Sequence, residues 1–377
     1  MKQLTIISHT EHYTNTDGIL VGFGPTVTEI NHLLKLFDKI VHVAVWYDTK
    51  APASALPYAS AAIQFVALPA VGGKTLSRKS QVIWQAPGIL KIIKQSVKES
   101  THVQFRAPTG MGVYVIPYVM GLTAKQVWFK YAGNWKQEKA PLAYQWQRWL
   151  LKNQKRKVTI NGTWADQPSH CLSFENPCIT EPELQDGASV RREKVLPESG
   201  IALCFVGRLE TAKGIDMFLE SLEALSEADK AKLGTVHIVG EMKEGYSEAD
   251  LMVSGVSLKY HGTLARKALH SIYKQSHFIV LPSRSEGFPK VISEALNFGC
   301  VPVVSNVSAI GQYIKNGEQG ILIEMLTTAG VKTKLRQCLS LSPESFKKMI
   351  SREAHVYNRF SYEYYNQRIW KEVLNNS

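Results

Sequence analysis

Two kinds of segment alternate along this chain. Short runs of consecutive apolar residues end in glycine, proline or a charge, and between them apolar residues recur every three or four positions. Uninterrupted apolar runs belong to strands covered on both faces, and the wider spacing belongs to helices with one face on a core. In the second half the predicted strands are Ile201–Arg208, Thr235–Glu241, Ser257–Gly262, His277–Pro282 and Val301–Asn306, followed by a turn and strand over Asn316–Ile323. Helical spacing joins Phe218, Leu219, Leu222 and Leu225, then Leu269, Ile272 and Tyr273, then Val291, Ile292, Ala295 and Leu296. The alternation predicts an α/β fold with helices on both faces of a parallel sheet.

The first half repeats the pattern. Strands are predicted over Leu4–Ser8, Ile40–Trp46, Ala61–Leu68, Thr101–Arg106, Gln126–Tyr131, Val158–Asn161 and Cys171–Pro177. Helices are predicted over Thr26–Phe37, over Lys79–Lys98 with a break at Pro87-Gly88, over the apolar stretch Gly110–Leu122, and over Pro141–Lys157. The stretch Cys178–Ser199, rich in Pro, Glu and Gly, reads as a linker, and Phe360–Trp370 as a terminal helix. Two doubly wound domains result, 1–190 and 200–355. A chain of 377 residues that is 45% hydrophobic is long enough to give each its own core.

Composition narrows the setting. Gly110–Leu122 is too short, and too interrupted by glycine and proline, to cross a bilayer. Met1–Ser8 is too short an apolar run for a secretory leader, so the chain is expected in the cytoplasm. The five cysteines, Cys171, Cys178, Cys204, Cys300 and Cys338, include no Cys-x-x-Cys pair, which predicts free thiols rather than disulfides or a zinc site. Charge is lopsided: residues 1–160 hold 20 Lys and Arg against 7 Asp and Glu, a balance of +13, leaving the remainder near −1. The first half therefore faces something acidic. No nucleic-acid-binding module accompanies the charge, so no nucleic acid is expected, and an anionic membrane surface or a lipid diphosphate suits it better.

The candidate chemistry concentrates in Ser283–Leu296. Glu286 and Glu294 stand there with seven residues between them, one on the loop after a strand and the other inside the following helix. Pro289 suits a first helical position, where its missing N–H costs no hydrogen bond. Gly287 has no Cβ, so the amides near Phe288 and Lys290 and the positive end of the helix dipole can approach an anion. Glu294 falls about two turns into the helix, roughly 10 Å along its axis. A diphosphate on the helix terminus would then have a sugar beside one carboxylate and a ribose beside the other. Upstream, Gly207-Arg208 and Lys213-Gly214 put two cations at the carboxyl edge, where doubly wound sheets bind ligands. The chain has no Asp-x-Asp pair, which moves the neutralising of a diphosphate from a metal to Arg208, Lys213 and the helix terminus. No metal and no other cofactor is expected.

In combination, Gly207-Arg208, Lys213-Gly214, the strand end Val239-Gly240, Glu286-Gly-Phe-Pro-Lys-Val-Ile-Ser-Glu294 and Asn316-Gly-x-x-Gly320 resemble the carboxyl-terminal domain of retaining GT-B glycosyltransferases of family 4, the "group 1" type. The resemblance spans about residues 201–325. It implies a GT-B fold: two Rossmann-like doubly wound domains facing a central cleft, with the helix 360–377 crossing back to the first. It also implies transfer of a sugar, with retention at the anomeric carbon, from a nucleoside-diphosphate sugar to a hydroxyl of a saccharide or lipid-linked acceptor, as in surface polysaccharide assembly. In that frame Arg208, Lys213 and Glu286 are catalytic, and Gly22, Gly24, Gly207, Gly287, Phe288, Pro289, Lys290 and Glu294 bind the donor. One departure bears on the nucleobase pocket. Such proteins often carry a second glycine soon after the Val-Gly strand, where this chain has Glu241–Tyr246.

The first half offers weaker signals, each with an ordinary alternative. Gly22-Phe-Gly24 precedes a predicted helix, but Val27 occupies the third glycine position of a dinucleotide fingerprint. The resemblance turns these glycines toward the donor diphosphate; the alternative is a tight turn. Arg106, at a strand end, is read as an anion contact or as an ordinary salt bridge. Asn134 and Trp135, after another strand, are read as acceptor contacts or as a packed turn. In Pro141–Lys157 the residues Trp146, Trp149 and Leu150 are expected in the core, the alternative being a helix lying in a headgroup layer and binding anionic vesicles. Two rival functions stay open on the same residues: a sugar-nucleotide epimerase or phosphorylase, and a binding protein without catalysis.

Overall fold

The computed structural model describes residues 1–71, 81–243 and 245–375. They divide into two units, Met1–Glu175 with Tyr362–Ser377, and Asn176–Ser361. In the first unit the order is β1 (Gln3–Thr14), β2 (Leu20–Phe23), α1 (Gly24–Leu33), β3 (Lys39–Trp46), β4 (Ala55–Pro57), β5 (Ile63–Leu68), α2 (Ala86–Ser96), β6 (His102–Ala107), α3 (Gly112–Met120), β7 (Gln126–Tyr131), α4 (Leu142–Lys152), β8 (Val158–Ile160) and β9 (Cys171–Ser173). The strands β5-β3-β1-β6-β7-β8-β9 pair in parallel in that order. Their apolar side chains, among them Ile7, Val43, Phe105 and Phe129, are buried because α2 and α3 cover the sheet with Ile89, Ile93, Val115 and Ile116.

Three predictions change here. The first strand runs past Ser8 to Thr14, through a register shift between Ile7 and Glu11, because its polar end pairs antiparallel with β2, which pairs in turn with β4. Gly22 therefore lies in a hairpin arm and not in a turn that leads directly from the first strand into a helix. Next, the break in the predicted helix falls at Gln85, between a helical turn over 81–84 and α2, because Pro87 is accommodated in the first turn of α2; Lys79 and Ser80, assigned to that helix from sequence, lie outside the described residues. Finally, α4 buries Gln147 and Leu151, while Trp146 and Trp149 are 44% and 54% exposed and Leu150 is half-buried. The inward side of α4 is set by Gln147, which accepts from the Thr109 amide (3.1 Å) and donates to the Thr109 carbonyl (2.8 Å), so the tryptophans face away from the core.

The second unit runs α5 (Glu181–Glu193), β10 (Ile201–Val206), α6 (Ile215–Glu223), α7 (Glu227–Lys230), β11 (Leu233–Val239), β12 (Leu258–Tyr260), α8 (Arg266–Gln275), β13 (Phe278–Leu281), α9 (Lys290–Asn297), β14 (Val301–Ser305), α10 (Ile310–Tyr313), β15 (Ile321–Ile323), α11 (Thr328–Leu339), α12 (Pro343–Ile350) and α13 (Ala354–Asn358). Its sheet is parallel with the order β12-β11-β10-β13-β14-β15. The stretch read as a linker is largely α5. Its proline and acidic residues sit in the first turn, where they favour a helix, under a capping box formed by Thr180 and Glu183. Composition alone suggested a loop because proline disfavours a helix everywhere except its first turn, which is where Pro182 stands.

After α13 the chain returns to the first unit through α14 (Tyr362–Arg368) and a π-helical turn, Ile369–Leu374. Tyr365, Ile369 and Val373 there pack against Leu4, Ile6, Leu33 and Trp128. The Gln126 amide donates to the carbonyls of Val373 (3.1 Å) and Leu374 (2.9 Å). The five cysteines are free and buried. Among the described residues, no helix is long and apolar enough to cross a membrane.

Candidate functional site

The strand order of the second unit reverses between β10 and β13. In open parallel sheets this is where the loops leaving two neighbouring strands diverge and open a crevice for a ligand. Both loops singled out by sequence, Gly207–Gly214 and Pro282–Pro289, leave from that point. Two glycines let them press together. Gly214 has φ +75°, and a Cβ there would lie 2.1 Å from the Pro282 carbonyl oxygen. Gly240, at the end of β11, has φ +146°, and its Cβ would lie 1.8 Å from the carbonyl oxygen of Gly207. No other residue type fits either position without moving backbone.

Lys213 and Glu286 meet across the crevice as an ion pair, with side chains only 21% and 10% exposed. A second pair braces them: Arg284 donates to both carboxylate oxygens of Asp216 (3.0 and 2.8 Å), and its backbone N–H bonds the Ala212 carbonyl (2.9 Å). Burial pushes the Asp216 carboxyl up, but the Arg284 guanidinium outweighs this and holds it below the usual range. Arg208 is more open, its side chain 56% exposed and 3.0 Å from Glu210. Lys213 ends a single 3-10 turn, Thr211–Lys213, and Gly214 separates it from α6, so it sits before the helix rather than inside it.

On the other side of the crevice, α9 starts at Lys290 with Pro289 as its N-cap and no capping side chain. Its first turn carries no acidic residue, so its positive dipole end has no carboxylate of its own there. Gly287 lies in the approach. Phe288 is buried against Tyr313 (4.7 Å between ring centroids) and Phe360 (5.3 Å, stacked), and so anchors the loop. Glu294 is turned inward. It is 6% exposed, accepts from Arg266 at 2.8 Å, and lies 3.4 Å from the Tyr273 hydroxyl. Arg266 is itself gripped by both oxygens of Glu183 (2.8 Å each) and by the carbonyl of Cys178. The two glutamates thus have different settings, one beside a lysine at the crevice and the other in a buried arginine network.

The candidates of the first unit are structural in their contacts. Gly22 lies against the His12 ring, which a Cβ would meet at 2.4 Å, and Gly24 begins α1 against the Ser54 carbonyl. Arg106 is buried and bonded to Glu29 (2.9 Å) and Gln104 (2.9 Å), while Lys130 reaches the same Glu29 oxygen at 2.6 Å. It is an interior ion pair and not an open anion contact. Asn134 accepts from the Lys136 amide (3.0 Å) in a local turn. Trp135 is buried edge-on against Tyr131 (5.0 Å) and offers no open face. Among the described residues, no three His, Cys, Asp or Glu side chains converge to hold a metal ion.

Comparison with known proteins bears on the second unit most directly. Residues 188–355 match the family Glycosyl transferases group 1. D-inositol 3-phosphate glycosyltransferase of Rhodococcus jostii (strain RHA1) is 27% identical over 163 residues, which are 41% of this chain and 36% of that protein. The chain spans about a third of the length of such curated relatives, from 33% to 37%. Two solved structures match over 100% of both chains: sucrose-phosphate synthase from Thermosynechococcus elongatus (TM-score 0.71, 16% identity) and Anabaena HepE in complex with UDP and glucose (TM-score 0.68, 13% identity). The fold is GT-B.

Within the second unit, sequence reasoning missed Arg266, Glu183, Arg284 and Asp216. One signal was available. Arg266 is the first residue of α8, where a cation opposes the helix dipole and so needs a carboxylate to hold it. Its partners Glu183 and Glu294 come from α5 and α9, and nothing in their spacing along the chain joins them.

Proposed function

We propose that the chain is a retaining glycosyltransferase of the family 4 type, moving a sugar from a nucleoside-diphosphate sugar to a hydroxyl acceptor. The observation that carries this reading is the Lys213–Glu286 pair at the reversal of strand order, beside the uncapped start of α9. The diphosphate rests at that start, near Gly287 to Lys290. Lys213 and Arg208 stabilise the charge that grows on it as the glycosidic bond breaks, and they do so without a divalent metal. Glu286, held in place by Lys213, accepts hydrogen bonds from hydroxyls of the transferred sugar. Glu294 accepts from the ribose: a carboxylate has about four lone-pair sites, so the bond from Arg266 fixes its orientation and leaves capacity for a ligand. The first unit, with its charge of +13 over residues 1–160, serves a saccharide or lipid-linked acceptor.

The test is a panel of UDP-, GDP-, ADP- and dTDP-sugars incubated with the protein, read by mass spectrometry for release of the nucleoside diphosphate. UDP-glucose comes first, because the fold matches a protein solved with UDP and glucose. Release that persists in EDTA and is lost in Glu286→Gln supports the reading. Binding of every nucleoside diphosphate with no turnover on any acceptor mixture would leave a binding protein. Conversion of the donor without acceptor would make it an epimerase.

A further inference from the structure

We propose that the outer face of α4 is a membrane-docking surface for anionic phospholipid. Leu142, Trp146 and Trp149 fall four and three residues apart, on one side of the helix, and are 83%, 44% and 54% exposed. The two indoles stack on each other, with ring centroids 5.1 Å apart and planes at 15°. Among the described residues the stacked indoles keep a large apolar area exposed, and Trp is the side chain best suited to the boundary between headgroups and acyl chains. Ile83 and Trp84, 75% and 83% exposed, follow Val82, which lies against Gly110 in the loop that carries the Thr109 contact to α4.

Charge selects the occupant. Residues 136–157 carry seven Lys and Arg against one acidic residue, Glu138. Lys136 and Lys152 share Asp166, and Arg156 is spent on the carbonyls of Met120 and Leu122, but Lys139 and Lys155 are exposed at the two ends of the helix. A lipid layer with acidic headgroups meets both features at once, apolar side chains inserting while lysines reach phosphates. A second copy of this basic surface would repel itself. The face is also rigid. Gln147 ties the helix to Thr109, and Arg148 donates to the carbonyls of Trp135 (3.1 Å) and Gln137 (2.8 Å), so the tryptophans are presented without ordering cost. The helix stands beside the carboxyl ends of β6 and β7, so docking brings that edge of the sheet to the membrane.

The test is co-sedimentation of the whole chain with vesicles of phosphatidylcholine alone, and of phosphatidylcholine mixed with phosphatidylglycerol, at low and high salt. The wild type binds the mixed vesicles, and salt weakens it. Trp146→Ala/Trp149→Ala lowers the partition coefficient by at least about tenfold, while Lys139→Glu/Lys155→Glu abolishes the preference for phosphatidylglycerol. Circular dichroism and thermal melts stay at wild-type values, since both pairs are exposed. Equal binding to the two vesicle types, or wild-type binding by the tryptophan variant, overturns the proposal. So does a dimer in sedimentation velocity, or duplex-DNA binding, that the tryptophan variant loses, because either hands the face to another occupant. Vesicle binding needs no sugar transfer, so its outcome is independent of the proposed activity.

Discussion

Replacing Lys213 with alanine in the second unit sets a large catalytic loss against a smaller cost in stability. If the ammonium stabilises charge developing on a leaving diphosphate, its removal costs about 3–4 kcal/mol of transition-state stabilisation. At 1.36 kcal/mol per factor of ten, turnover falls by roughly 100- to 1,000-fold. The cost to the fold is smaller. The pair is 21% and 10% exposed, and losing one charged hydrogen bond of this kind costs about 1.5–3 kcal/mol. Solvent at the crevice lowers that figure. Gly214 and the Arg284–Asp216 pair remain to hold the loop in place. The assay is nucleoside diphosphate release under saturating donor, with the melting temperature recorded on the same preparations. Lys213→Arg keeps the charge and recovers part of the loss. A Lys213→Ala protein that melts normally and retains more than about a third of wild-type turnover would refute the assigned role.

Arg208→Ala is expected to lower turnover by roughly a hundredfold with little change in melting, since its side chain is 56% exposed and pairs with half-buried Glu210; unchanged turnover removes it from the mechanism. Glu294→Gln weakens donor binding in a nucleoside diphosphate titration, and Arg266→Ala weakens it as well but also lowers the melting temperature, because Glu183 and Glu294 lose their shared cation. Gly240→Ala forces the Gly207 carbonyl to move and is expected to destabilise by more than about 2 kcal/mol in urea melts. His277 accepts a hydrogen bond from the Ala202 amide on Nδ1, and burial together with nearby Lys194 pulls it down to about 4. His237 is drawn to about 4 by burial and by its neighbours His261 and Lys259. The unfolded chain therefore binds more protons than the folded one between the ordinary histidine value and these, so stability is full above about pH 6.5 and falls as pH drops toward 4. Urea midpoints across that window show the decline, and His237→Gln/His277→Gln makes it shallower, while buried His42, also lowered by desolvation, keeps part of it.

The second unit was legible because its strands are apolar runs of a kind that only burial on both faces produces. Ile201–Val206 and Phe278–Leu281 are found within a residue or two of where periodicity puts them. The first unit was legible in its parallel core but not at its edge, where β2 and β4 are four and three residues long, too short for a period to show. Charged residues were the least legible. Arg106 gives no sign in sequence that its partner is Glu29, 77 positions away, nor Glu294 that its partner is Arg266. Residue type announces a charge that must be neutralised; the fold alone decides by which group. The tryptophans of α4 show the same limit, since helical spacing defines a stripe without saying which of two stripes the core takes.

The return of the chain to its first unit has a consequence for synthesis. Leu4, Ile6 and Trp128 stay partly bare until Tyr365, Ile369 and Val373 arrive, and those residues are made only after all of the second unit. The first unit therefore cannot close its core until the sequence of the second has been made. A released chain truncated at residue 361 would then resist protease across residues 176–361 and be cut within the opening strands.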